Sequence, residues 1–278
     1  MAGGSGGRSV LSRALDVLES FDPNGQMLTI TQIAHRAGLT APTTHRLVGE
    51  LLALGLLDRG PNRTVHIGLR LWEVASAAPQ AQGLRELAMP ALEDLQAAVR
   101  QHTQLYVREG TETLLIERLS SRNAVPNFAK VGRRLPLHAS SGGLVLLAHG
   151  GPELEREVFS APMRRYRAAT PVRPEQVLPL LAAIRDRGYI ACDGFISEGA
   201  MGIAVPVHDG TGDTVAALSV VVPSGGAQPM AYVNALVVTA CAIGRELAKP
   251  RLPQWHPMQP TSRRCVRSDG SARSANGA

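Results

Sequence analysis

The sequence predicts an α+β protein of two domains, a small N-terminal one with three helices and a hairpin, and a larger C-terminal one in which antiparallel strands alternate with helices. Three observations predict it. The 278 residues exceed what one compact core holds without subdivision. The stretch LTITQIAHRAGLTAPTTHRLVGELLALGLL, residues 28 to 57, holds two short helical patterns separated by a tight break at Ala37-Gly38-Leu39-Thr40. Beyond residue 83, apolar helical stripes and strand-like runs follow one another with turn residues between them.

The N-terminal elements are justified in order by caps and periodicity. Ser9 opens a first helix whose apolar positions Val10, Leu11, Ala14, Leu15 and Leu18 fall on one face, ending near Phe21. The second helix has a sharper start: Thr29 caps, Gln32 stands at the capping-box position and Leu28 staples onto Ile33. It runs to about Ala37, where Gly38 suits a left-handed helix end. Thr40 is expected to cap a third helix with Pro42 in its first turn, where a missing N–H is harmless. Two short helices joined by a Gly-containing turn form a helix-turn-helix. The third helix buries Thr44, Leu47, Val48, Leu51 and Leu52, which turns Ala41, Pro42, Thr43, His45, Arg46 and Gly49 outward. Gly55 to Arg59, a Gly-Pro-Asn turn at 60 to 62, and Val65 to Gly68 then read as a two-stranded wing.

In the second half, Leu84, Leu87, Ala88, Ala91, Leu92, Leu95 and Ala98 form an apolar stripe on a helix. TQLYVREG and TLLIERLS follow as strands joined through Gly-Thr-Glu, then a loop over 120 to 136. Helices are expected at 141–149, 152–160, 174–187 and 228–247, and strands at 188–193, 201–207 and 214–222. Antiparallel strands faced by helices make an α+β domain.

Composition excludes several classes. No apolar run reaches the roughly 20 residues that span a bilayer, and the Gly-rich start lacks the apolar core of a signal peptide. No membrane partner and a cytoplasmic location are expected. Cys192, Cys241 and Cys265 stand without CxxC spacing or His neighbours, so neither a disulfide framework nor a metal site is suggested. The net charge is +6, but the tail from Lys249 carries six cations against Asp269 alone, leaving +5 there. Rich in Pro, Ser, Gly and Arg, residues 250–278 are expected to be disordered. The case for nucleic acid therefore rests on architecture rather than on total charge.

A recognition helix needs small or hydrogen-bonding side chains near its N-terminus to reach base edges, and a cation for phosphate or guanine. The expected DNA-facing set is Thr29, Thr40, Ala41, Pro42, Thr43, His45 and Arg46, with Arg63 on the wing. An enzyme is the rival: His138, Ser140, Ser141 and Asp193 can be cast as a hydrolytic triad, with Cys192 as another nucleophile. Against it, no G-x-S-x-G elbow is present, and Ser-Ser-Gly-Gly at 140 to 143 reads better as a helix start. Such a start presents free backbone N–H groups to an acidic ligand. No cofactor is expected.

The residues Ile33-Ala34, Gly38-Leu39, Thr43-Thr44-His45-Arg46-Leu47 and Gly55-Leu56-Leu57 resemble the IclR family of bacterial transcriptional regulators, as does VHIGLRLWEVA leaving the wing. LPLHASSGGLVLLA at 135 to 148, RGYIACDGFISEGAMGIAVPV at 187 to 207 and GDTVAALSVVVP at 212 to 223 resemble that family's effector-binding half. The resemblance covers about Ser9 to Lys249. It implies a winged helix-turn-helix over 9–69 after a flexible start at 1–8, a linker helix over 70–82 and a GAF/PAS-like effector-binding domain over 83–249. It further implies a double-stranded operator, a small-molecule effector, and self-association as a dimer that can pair again into a tetramer. The family's pocket positions fall on Ser141, Gly142, Cys192, Gly202, Ser219 and Val221. Members that sense small polar acids tend to carry Asp, Cys and Ser where Cys192, Gly202 and Val221 stand. Fewer polar groups and more room beside Gly202 favour a larger, apolar ligand, such as an aromatic or branched carboxylic acid held by Ser141, Gly142 and Ser219. Asp193 is expected to point to the opposite face of its strand.

Overall fold

The computed structural model describes residues 8–21, 26–76, 79–127, 129–226 and 228–249. The expected tail, with Cys265, and residues 1–7 lie outside the described residues. The chain divides into two compact units.

In the first unit, α1 (Val10–Glu19) is capped by Ser9 Oγ, which accepts from Ser12 N at 3.0 Å. β1 (Leu28–Thr29) leads into α2 (Ile30–Ala37), whose capping box is complete: Thr29 Oγ1 accepts from Gln32 N, and Gln32 Oε1 accepts from Thr29 N at 2.9 Å. Gly38 ends α2 at φ 64°, in the left-handed region. α3 (Ala41–Ala53) follows, then β2 (Leu57–Arg59), β3 (Thr64–Ile67) and α4 (Leu69–Ser76). Thr40 does not cap α3. Its hydroxyl donates to Thr43 Oγ1 at 2.9 Å, and Pro42, lacking an N–H, leaves one orphan donor fewer to satisfy. The three strands form an antiparallel sheet in the order β1-β3-β2, with Leu28 opposite Val65 and Leu57 opposite Ile67. β1 went unforeseen because two residues are too short to show a period. Val17, Leu28, Ile33, Leu47, Val48, Leu57 and Val65 fill the core, so the staple pair Leu28 and Ile33 is inside it. The wing turns through Asn62 and Arg63 at φ 53° and 57°, with Thr64 N donating to Pro61 O at 3.0 Å. Positive φ at both central residues matches the twist of a two-residue hairpin.

The second unit opens with α5 (Pro79–Val99), β4 (His102–Glu109) and β5 (Glu112–Leu119). A three-residue edge strand, β6 (Arg134–Pro136), stands inside the stretch expected to be loop. A 3-10 turn at Leu137–Ala139 leads to α6 (Ser141–Ala148), α7 (Gly151–Ser160) and α8 (Pro174–Arg187). β7 (Ile190–Asp193), β8 (Ala200–His208), β9 (Thr214–Pro223) and α9 (Met230–Leu247) complete it. The six strands pair antiparallel throughout in the order β6-β5-β4-β9-β8-β7.

Period-two alternation divides the sheet's side chains between two cores. Leu105, Val107, Ile203, Val205, Leu218 and Val220 meet α5 and α9 on one face. Tyr106, Leu115, Cys192, Ala204 and Ala217 meet α6, α7 and α8 on the other. α9 is long and apolar enough to match the length of a bilayer span, yet it lays Val233, Leu236, Ala240 and Ile243 into the first of these cores. α6, SGGLVLLA, is buried on all sides between sheet and α8, as a helix without a polar face must be. Close helix packing explains its glycines: a Cβ on Gly143 would stand 2.4 Å from the Leu137 carbonyl oxygen.

Candidate functional site

Two regions gather the residues singled out by the sequence. In the first unit, α3 buries Thr44, Leu47, Val48 and Leu51 and exposes Ala41, Pro42, His45, Arg46 and Gly49 on its other side. Thr43 is half-buried beside them, and Arg63 is exposed at the wing tip. Thr29 spends its hydroxyl in the capping box, so it anchors the start of α2. Arg46 pairs with Glu50 one turn on, at 2.6 Å, with both side chains half-exposed. An exposed pair of this kind holds a cation loosely and exchanges readily for a phosphate or a base edge.

In the second unit a small cavity of about 50 Å3 opens over the α6 face of the sheet. Register builds its floor: Cys192 lies opposite Gly202, and Gly202 opposite Val221. The neighbouring row places Ser219 opposite both Ala204 and Gln104. Ser141, Cys192, Gly202 and Val221 line the cavity, together with Gln104, Tyr106, Asn127 and Phe195. Gly142 and Ser219 stand behind the wall. The Tyr106 ring packs on Gly142 so closely that a Cβ there would meet Cδ2 at 2.7 Å. The expected room beside Gly202 is not there, because Ser141 Oγ occupies it, 2.7 Å from where a Cβ would be.

The polar chemistry of the cavity centres on two amides that sequence reasoning missed. Gln104 is 1% exposed, and its Oε1 accepts from the Tyr106 hydroxyl at 2.9 Å and from Ser219 Oγ at 3.4 Å. Asn127 Oδ1 accepts from Ala129 N at 2.9 Å. In both amides the oxygen is engaged and the buried NH2 group finds no partner among the described residues. A lone Gln in a strand and a lone Asn in a loop carry no sequence signal; only their convergence does. The segment bearing Asn127 is pinned by His102, whose ring touches Ser120 Oγ at 2.8 Å and the Val125 carbonyl at 2.5 Å, and by Arg118, which donates to the carbonyls of Asn127 and Ala129. Burial pushes the Tyr106 phenol and the Cys192 thiol up, so both stay protonated at neutral pH.

The hydrolytic arrangement does not form. His138 Nε2 faces the Arg164 carbonyl at 3.1 Å, and burial lowers its pKa. Ser140 Oγ caps α6 by accepting from Gly143 N at 3.1 Å. Asp193 is exposed and accepts from Ser224 Oγ, outside the cavity.

Residues 10–61 match the IclR helix-turn-helix domain, and residues 76–243 match the bacterial transcriptional regulator IclR C-terminal domain. The chain is 31% identical over 211 residues to the HTH-type transcriptional regulator XynR of Escherichia coli, covering 75% of this chain and 84% of that protein. It is 31% identical to BhcR of Paracoccus denitrificans, covering 79% of each. Among solved structures, an IclR homolog from Microbacterium hydrocarbonoxydans complexed with 4-hydroxybenzoate is 44% identical, with a TM-score of 0.79 over 86% of this chain and 99% of that one.

Proposed function

The chain belongs to the IclR family of bacterial transcriptional regulators, and from that premise we infer that it is a cytoplasmic dimer that reads a palindromic operator and answers to an aromatic carboxylic acid. DNA binding and a ligand-binding C-terminal domain come with the family, and its relatives are named as regulators rather than enzymes.

The observation that carries the effector reading is the pair of orphaned amides. A buried N–H group without a partner costs about 1–3 kcal/mol. A ligand that brings acceptor oxygens to Gln104 Nε2 and Asn127 Nδ2 recovers that cost, and an apolar ring fits between Tyr106, Phe195, Cys192 and Val221. The binding of 4-hydroxybenzoate by the similar Microbacterium protein supports the same class. Ser141, at the cavity wall, supplies a further hydroxyl, while Gly142 and Ser219 position Tyr106 and Gln104.

For the operator, the exposure of Ala41, Pro42, His45 and Arg46 supports their reaching base edges, with Thr40 and Thr43 beside them and Arg63 reaching the backbone from the wing. Leu11 on α1 is 81% exposed and Trp72 on α4 65%, with Leu15, Leu69 and Val74 also uncovered, which supports self-association through these faces. The test is fluorescence anisotropy of the full chain on DNA from upstream of its own coding region, with and without 4-hydroxybenzoate. Specific binding that shifts with the acid is expected; specific binding indifferent to 4-hydroxybenzoate, and to benzoate and terephthalate in the same assay, would reject the effector class.

A further inference from the structure

Beside the effector cavity lies a second, larger hollow of about 480 Å3. The two share Tyr106, Ala129, Leu135 and Ile196 in their walls, so they are neighbours divided by a largely apolar partition. Their chemistry differs. The cavity's own donors are neutral, whereas the hollow is rimmed by Arg134, Arg164 and Arg167, with Lys130 and Arg133, and no acidic residue is among its described lining. Arg164 lies over the Tyr166 ring, 4.9 Å from its centroid, and Arg167 donates to the Tyr166 carbonyl at 3.3 Å. Neither contact neutralises a charge. Among the described residues, no carboxylate pairs with Arg134, Arg164 or Arg167, although ion pairs are made elsewhere in the same unit by Arg85, Arg156 and Arg185.

Gathered like charges repel, and converging guanidinium groups fit the planar oxygens of carboxylate or phosphate. A ring whose single polar group is one carboxylate satisfies either the two amides or the arginines, but not both. We propose that the hollow is an anion-binding subsite of the effector site, so that the preferred effector is an aromatic dianion with one acidic group against Gln104 and Asn127 and the other among Arg134, Arg164 and Arg167. This rests on the aromatic-acid reading of the cavity and narrows it.

Isothermal titration of the full chain with benzoate and with terephthalate tests the assignment. Terephthalate should bind about tenfold more tightly than benzoate, as one added charge-assisted interaction predicts. That preference should shrink as salt rises. The variant Arg134→Gln/Arg164→Gln/Arg167→Gln changes only exposed side chains; it should keep its melting temperature and its benzoate affinity while losing the preference for terephthalate. Gln104→Leu, which alters the cavity alone, should weaken both acids alike. Equal affinity of the wild type for the two acids would overturn the subsite and leave the aromatic-acid reading standing. Parallel loss of both acids in the arginine variant would place a lone carboxylate in the hollow and overturn the dianion. Binding of neither acid by the wild type would overturn both.

Discussion

Replacing Gln104 by Leu removes the amide at nearly constant volume and separates its two roles. In the free protein the substitution takes away the acceptor of the buried Tyr106 hydroxyl, which costs about 1–3 kcal/mol for that stranded donor, while the long 3.4 Å contact from Ser219 adds little. It also removes an NH2 group that is itself stranded, recovering a similar amount. The two nearly cancel, so the free variant should lie within about 1 kcal/mol of the wild type, a shift of no more than roughly 4 °C in Tm for a unit of this size. Ligand binding has no such compensation. The variant loses a donor that the acid would have satisfied, and affinity for 4-hydroxybenzoate should fall by about 1–3 kcal/mol, or roughly 5- to 150-fold. Calorimetric titration together with thermal melts of free and ligand-saturated protein reads both numbers. Unchanged affinity in a variant of unchanged stability would refute the assignment of Gln104 as the ligand's donor.

Arg46→Ala should weaken operator binding by about 1–3 kcal/mol if the guanidinium leaves Glu50 for a bidentate base contact, and a gel shift showing undiminished retention would remove it from the interface. Gly68→Ala puts a Cβ 2.3 Å from the Gly55 carbonyl oxygen, backbone against backbone where the chain leaves the wing; the first unit should lose about 3 kcal/mol or more, seen as early proteolytic cutting between α3 and α4. Burial lowers the pKa of His102, His138 and His149 below the ordinary imidazole value of about 6.5. The unfolded chain therefore takes up these protons first, so their contribution to stability is full above about pH 6.5 and is lost as pH falls through the folded values. Melting temperature should drop between pH 7 and pH 5, and a flat profile there would contradict the neutral, hydrogen-bonded imidazoles at His102 and His138.

The sequence by itself determined the local elements. The capping box at Thr29 and Gln32, the left-handed Gly38, the stripe Thr44-Leu47-Val48-Leu51 and the strand alternation of β4, β8 and β9 depend on residues within a few positions of one another, so they are legible without a fold. The motifs that carried the family resemblance are of this kind. Tertiary structure decided what the cavity offers. Its key contact joins Gln104 to Ser219 across 115 positions, the Tyr106 ring lies on Gly142 from another element, and the hydroxyl of Ser141 fills the space that the absent side chain of Gly202 was expected to leave. β1 and β6 likewise exist only through their partners, Val65 opposite Leu28 and Thr113 opposite Leu135 being the residues that make two short segments into strands. Whether a buried amide is satisfied or stranded depends on every group packed around it, and those groups are assembled by register and helix packing, which the order of residues along the chain specifies only through the completed fold.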